Sequence, residues 1–122
     1  MMTKPILIVE DEIDIRETLM SFLELKGYTV TTASNGREAL KRLEEGLEPC
    51  LILLDLMMPT MDGWEFRTRQ LADPDLADIP VLVLTGAHYT SEEAASLQAL
   101  DVLSKPIDIG RMLDHVAGHV SS

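Results

Sequence analysis

Apolar residues are arranged along this chain in two alternating rhythms. Short continuous runs come first: Ile6-Leu7-Ile8-Val9, Leu51-Ile52-Leu53-Leu54 and Ile79-Pro80-Val81-Leu82-Val83-Leu84. Such runs, bounded by turn residues, predict strands buried on both faces. Two weaker segments, Tyr28 to Ala33 and Asp101 to Ser104, predict shorter strands. Between the runs the spacing changes to that of a helix. Ile15, Leu19, Phe22 and Leu23 fall on one predicted helical face, as do Ala39, Leu40, Leu43 and Leu47, and later Ile109, Met112, Leu113, Val116 and Val120. The segment from Gly63 to Ala72 is less cleanly amphipathic, with Trp64 and Leu71 as its expected core contacts. Asn35 with Glu38, Asp62 with Glu65 and Thr90 with Glu93 predict helix N-termini. Gly27, Gly46 and Pro74 predict stops. The helix opened at Thr90 runs to about Ala99.

Strand and helix therefore alternate five times over short connections. This pattern predicts an α/β fold: a flavodoxin-like, doubly wound (βα)5 unit with helices on both faces of a parallel sheet. In the order 2-1-3-4-5 the first and third strands are central neighbours, and ligands bind beyond the carboxyl ends of such strands.

Composition narrows the picture. The chain has 122 residues, the size of one domain. Its hydrophobic share of 46% and mean hydropathy of +0.09 suit a globular protein. Its charge of 10 − 21 = −11 argues against nucleic acid and against anionic membrane surfaces. Cys50 stands alone and offers no disulfide framework. Acidic residues follow too soon after Met1 for a signal peptide, and no apolar run reaches a membrane span. A soluble, cytoplasmic protein is expected.

The candidate chemistry lies at the predicted strand ends. Glu10, Asp11 and Glu12 follow the first strand, Asp55 ends the third, Thr85 the fourth, and Lys105 follows the fifth. Each alone has an ordinary explanation, as a cap or a surface residue. Together they place Glu10, Asp11 and Asp55 at one switch point, where carboxylates repel unless a cation relieves them. A hard divalent ion such as Mg2+ suits oxygen donors of this kind. Lys105 adds a compact positive charge and Thr85 a hydroxyl. Metal, ammonium and hydroxyl around one Asp suit phosphoryl transfer, with Asp55 as attacking nucleophile.

Val9-Glu10-Asp11-Glu12, Leu54-Asp55 with Met58-Pro59-Thr60-Met61-Asp62-Gly63, Thr85-Gly86-Ala87 and Lys105-Pro106 jointly resemble a response-regulator receiver domain of two-component signalling, over nearly the whole chain. The resemblance implies that Asp55 is the phosphoacceptor. It implies Asp11 as a direct Mg2+ ligand, Glu10 as a ligand through water, and Asp55 and the Met57 backbone carbonyl as the remaining protein ligands. Thr85 and Lys105 would bind the phosphoryl group. The implied donor is a phosphohistidine on a sensor histidine kinase or a histidine phosphotransfer protein. The implied target is a protein meeting the helix four, strand five and helix five face. Such a chain would be a switch that catalyses only its own phosphotransfer and slow dephosphorylation. Residues 1–122 would form the receiver alone, with no output domain.

The chain departs from the family pattern in places. Val102 stands where an aromatic usually precedes the Lys, and Tyr89 is a candidate substitute. The stretch from Thr85 to Lys105 is slightly short and carries Ala99-Leu100 before the fifth strand, so helix four is expected to be short or irregular. Met57 and Ala87, two residues beyond Asp55 and Thr85, have no polar group to orient a hydrolytic water. Other functions remain open at this point. They are a receiver-like interaction module without phosphorylation-driven switching, an Asp-nucleophile phosphatase, and a flavin-binding protein suggested by fold alone.

Overall fold

A computed structural model describes residues 4–120. The ends of the expected 1–122 domain therefore lie outside the described residues. The elements run β1 (Ile6–Val9), α1 (Ile13–Leu25), β2 (Val30–Ala33), α2 (Gly36–Glu44), β3 (Leu51–Asp55), α3 (Gly63–Ala72), β4 (Val81–Thr85), α4 (Ser91–Ser96), β5 (Val102–Ser104) and α5 (Ile109–His119). The strands pair in parallel in the order β2-β1-β3-β4-β5. The flavodoxin-like arrangement expected from the apolar rhythm is the one found.

Alternation along each strand divides the core in two. Leu7, Val9, Ile52, Leu54, Val81 and Val83 face α2 and α3, meeting Ala39, Leu43 and Phe66. Ile6, Ile8, Leu51, Leu53, Leu82 and Leu84 face α1 and α5, meeting Leu19, Leu23, Met112 and Val116. The central strands are buried on both faces, so their sequences read as unbroken apolar runs.

The caps explain where the helices begin. Asn35, Asp62 and Thr90 each accept a backbone N–H from the residue three further on. Only Thr90 and Glu93 complete the reciprocal box. Glu38 instead accepts from Ser34 and Arg42, so Asn35 caps alone.

Three expectations need correction. Phe22 is exposed, because Ile15, Leu19 and Leu23 already fill the buried stripe and Phe22 lies outside it. In α3, Leu71 is only partly buried, while Phe66, Arg67 and Gln70 are buried. Trp64 does pack partly against the core, as expected. Helix α4 ends at Ser96, short of Ala99, and spans six residues. Among the described residues no helix is long and apolar enough to cross a membrane.

Candidate functional site

The sheet register assembles the site. Val9 pairs with Leu54, so Glu10 leaves β1 level with Asp55 at the end of β3. Asp55 pairs with Leu84, which sets Thr85 one residue beyond. Thr85 pairs with Ser104, and the Lys105 N–H donates to the Thr85 carbonyl at 2.8 Å. Glu10, Asp11, Asp55, Thr85 and Lys105 thus gather at one edge of the sheet, as their positions in the sequence predict.

Two glycines hold the loop beyond Asp55. A Cβ on Gly63 would fall on the Asp55 carbonyl oxygen and within 2.7 Å of the Leu56 Cα. Only glycine permits that approach, and the Gly63 N–H donates to the Leu56 carbonyl at 3.0 Å. Gly36, opening α2, donates to the Met61 carbonyl at 3.1 Å and ties the loop to the next layer. Thr60 turns the chain with a φ of 70°.

One carboxylate oxygen from each of Glu10, Asp11 and Asp55 lies within 4.8 Å of the others. The Lys105 Nζ lies 2.7 Å from Glu10 Oε1 and 3.3 Å from Asp55 Oδ2. Glu10 and Asp55 are nearly inaccessible to water. Burial raises the Glu10 pKa to about 7; the Lys105 hydrogen bond opposes this, and the Asp55 charge adds to it. Burial also works against the Lys105 ammonium, but its bonds to Glu10 and Asp55 outweigh that and raise its pKa. The partners differ because Lys105 answers two carboxylates, whereas Glu10 has one ammonium and a like charge beside it. Three hard oxygen donors with one shared ammonium are an anionic cluster, and its donor chemistry fits a Mg2+ ion.

The remaining polar groups are oriented. Thr85 Oγ1 accepts the Ala87 N–H at 2.9 Å, which leaves its hydroxyl proton free to donate. The Met57 N–H donates to Asp55 Oδ1 at 3.3 Å, and the Met57 side chain is exposed at the mouth of the site. Val102 is half-buried against the α2 and α3 side of the core, and Tyr89 is half-buried in the loop before α4. A cleft of about 330 Å³ opens beside Lys105, lined by Ile15, Leu19, Pro106 and Ile107 among others.

Sequence reading missed two contributions. Arg16 Nη1 donates to the Glu10 carbonyl at 2.9 Å and fixes the turn out of β1. Arg67 binds the end of α4. The Arg16 position carries no local signal. The poor amphipathicity of α3 was the trace of the buried Arg67.

The model of the response regulator receiver domain matches residues 6–117. The chain belongs to that family. Receiver domains carry phosphorylation-dependent signals in two-component systems, act as phosphoacceptors rather than metabolic enzymes, and bind Mg2+ at an acidic pocket. They interact with histidine kinases or phosphotransfer proteins. This receiver is 39% identical over 110 residues to the response regulator MprA of Mycolicibacterium vanbaalenii, covering 88% of this chain and 46% of that protein. The chain spans about half the length of the curated relatives it matches. The signal receiver domain of a signal transduction histidine kinase from Syntrophus aciditrophicus superimposes with a TM-score of 0.85 at 35% identity, covering 94% of this chain and 88% of that one. The response regulator TrrA of Thermotoga maritima, solved in complex with Mg2+ and BeF, superimposes with a TM-score of 0.83 at 31% identity, covering 96% and 99%.

Proposed function

We propose that Asp55 accepts a phosphoryl group from a phosphohistidine donor and that the chain works as a phosphorylation-dependent switch. The observation that carries this reading is the placement of the buried Asp55 carboxylate 3.3 Å from Lys105 Nζ and within reach of Glu10 and Asp11. In the transfer, an Asp55 carboxylate oxygen forms the P–O bond as the P–N bond of the donor breaks, and the imidazole leaves on the histidine protein. Lys105 holds one equatorial phosphoryl oxygen by charge, and the Thr85 hydroxyl donates to another. Asp11 would hold Mg2+ directly and Glu10 through water, with Asp55 and the Met57 carbonyl completing the protein ligands. The ion supplies charge neutralisation at the phosphoryl oxygens.

The donor's side chain would approach past the cleft lined by Ile15, Leu19 and Ile107. The signal would leave to a protein partner through the α4, β5 and α5 face. Hydrolysis of the acyl phosphate would be slow, because Met57 and Ala87 present carbon and sulfur where a polar side chain could hold the attacking water.

The test is chemical. Protein treated with phosphoramidate and Mg2+ should carry a phosphate that neutral hydroxylamine removes, as an acyl phosphate requires. A hydroxylamine-stable phosphate would place the modification on another type of side chain.

A further inference from the structure

Helix α4 is attached to the domain at one end. Within Ser91–Ser96 no residue is buried. Its N-terminal cap is made by its own residues, Thr90 and Glu93, both exposed. Its C-terminal end is anchored. Leu97 is buried, and Gln98 ends the helix in the left-handed region with φ of 50°.

The anchor is Arg67 of α3, itself 4% exposed. Its Nε donates to the Leu97 carbonyl at 2.8 Å, one terminal nitrogen to the Gln98 carbonyl at 2.9 Å, and the other to Gln70 Oε1 at 2.8 Å. Gln70 is fully buried and donates to the carbonyls of Leu76 and Ile79, at 2.9 and 3.0 Å, ahead of β4. The guanidinium fork therefore satisfies carbonyls that a short helix leaves unpaired, and ties them to the core. Each of these three hydrogen bonds ends on a neutral oxygen, so the hold is directional as well as electrostatic.

We propose that Arg67 is a positioning residue that fixes the pivot of the switch. It clamps the Leu97–Gln98 end of α4, so that a displacement arising at Thr85 moves the Gly86–Thr90 loop and the free N-terminal end of α4. The proposal rests on the reading of Asp55 as phosphoacceptor. It supplies a route from the site to the α4 face that needs no aromatic side chain at Val102.

The experiment is residue-resolved NMR amide exchange on the full chain, with and without Mg2+ and beryllofluoride as a phosphoryl mimic. In the wild type the activator should alter the amides from Gly86 to Glu93 and leave those of Leu97 and Gln98 unchanged. Arg67→Met should raise exchange at Leu97 and Gln98 about tenfold or more without activator, and make both respond to it. Arg67→Lys keeps the charge without the fork and should fall between. It also carries the test if Arg67→Met does not fold, protected Leu53 and Val83 amides being the sign of a folded sheet. The proposal is overturned if Leu97 and Gln98 respond to the activator as strongly as Thr90 in the wild type, or if the folded variants exchange like it. If no amide responds, including that of Met57 beside Asp55, the phosphoacceptor reading itself fails and the pivot falls with it.

Discussion

The Lys105 ammonium lies closer to Glu10 Oε1, at 2.7 Å, than to Asp55 Oδ2, at 3.3 Å. It therefore neutralises one side of the acidic cluster that a divalent cation would also occupy. Two cations cannot share those oxygens without repulsion. Lys105→Met should bind Mg2+ more tightly than the wild type, measured by calorimetry or by the Mg2+ dependence of thermal unfolding. Weaker binding would show that Lys105 organises the carboxylates rather than competing for them.

The raised Glu10 pKa makes stability depend on pH. The carboxyl is held protonated in the fold up to about 7, against 4.5 for the unassociated group. Between those values the native state binds more protons than the unfolded chain, so stability without metal should fall as pH rises through that window. Lys105 contributes with the same sign at higher pH: its raised pKa gives stability that is lost only as pH climbs above 10.5. Mg2+ competes with the Glu10 proton, so saturating Mg2+ should flatten or reverse the slope. Glu10→Gln should flatten it without metal. Urea midpoints at several pH values test this, and a wild-type midpoint that rises from pH 5 to pH 7 without metal would contradict it.

Gly63→Ala should destabilise the fold, because the new methyl meets the Asp55 carbonyl and the Leu56 backbone. Overpacking against backbone costs about 1–3 kcal/mol. The same shift moves Asp55, so phosphorylation should slow as well. Denaturant unfolding and phosphorylation rates check both, and a variant with wild-type values would mean that the loop yields freely.

Met57→Asn should shorten the life of the phosphoryl group several-fold, since an amide can orient the attacking water where the exposed thioether cannot. Decay of phosphate on Asp55 is the readout. An unchanged decay rate would leave the slow hydrolysis without a cause at this position.

The sheet was legible in the sequence because its central strands are buried on both faces and so carry unbroken apolar runs. The gathering of Glu10, Asp11, Asp55, Thr85 and Lys105 was legible because strand ends in a parallel sheet share one edge. What escaped was set by tertiary contact. Phe22 lies three residues from Leu19, a helical spacing, yet Leu23 fills the stripe. Arg67 and Gln70 are not among the core contacts that the sequence predicts for α3; their partners are the carbonyls of Leu97, Gln98, Leu76 and Ile79, in irregular backbone that no periodicity marks. A short or irregular α4 was expected from the Thr85 to Lys105 spacing, but neither its end at Ser96 nor the clamp there was.

Intact-mass measurement after incubation with acetyl phosphate and Mg2+ tests most directly whether Asp55 is the phosphoacceptor. The wild type should gain the mass of one phosphoryl group, and Asp55→Ala should gain none. Equal phosphorylation of both proteins, or none in the wild type with either acetyl phosphate or phosphoramidate, would contradict it.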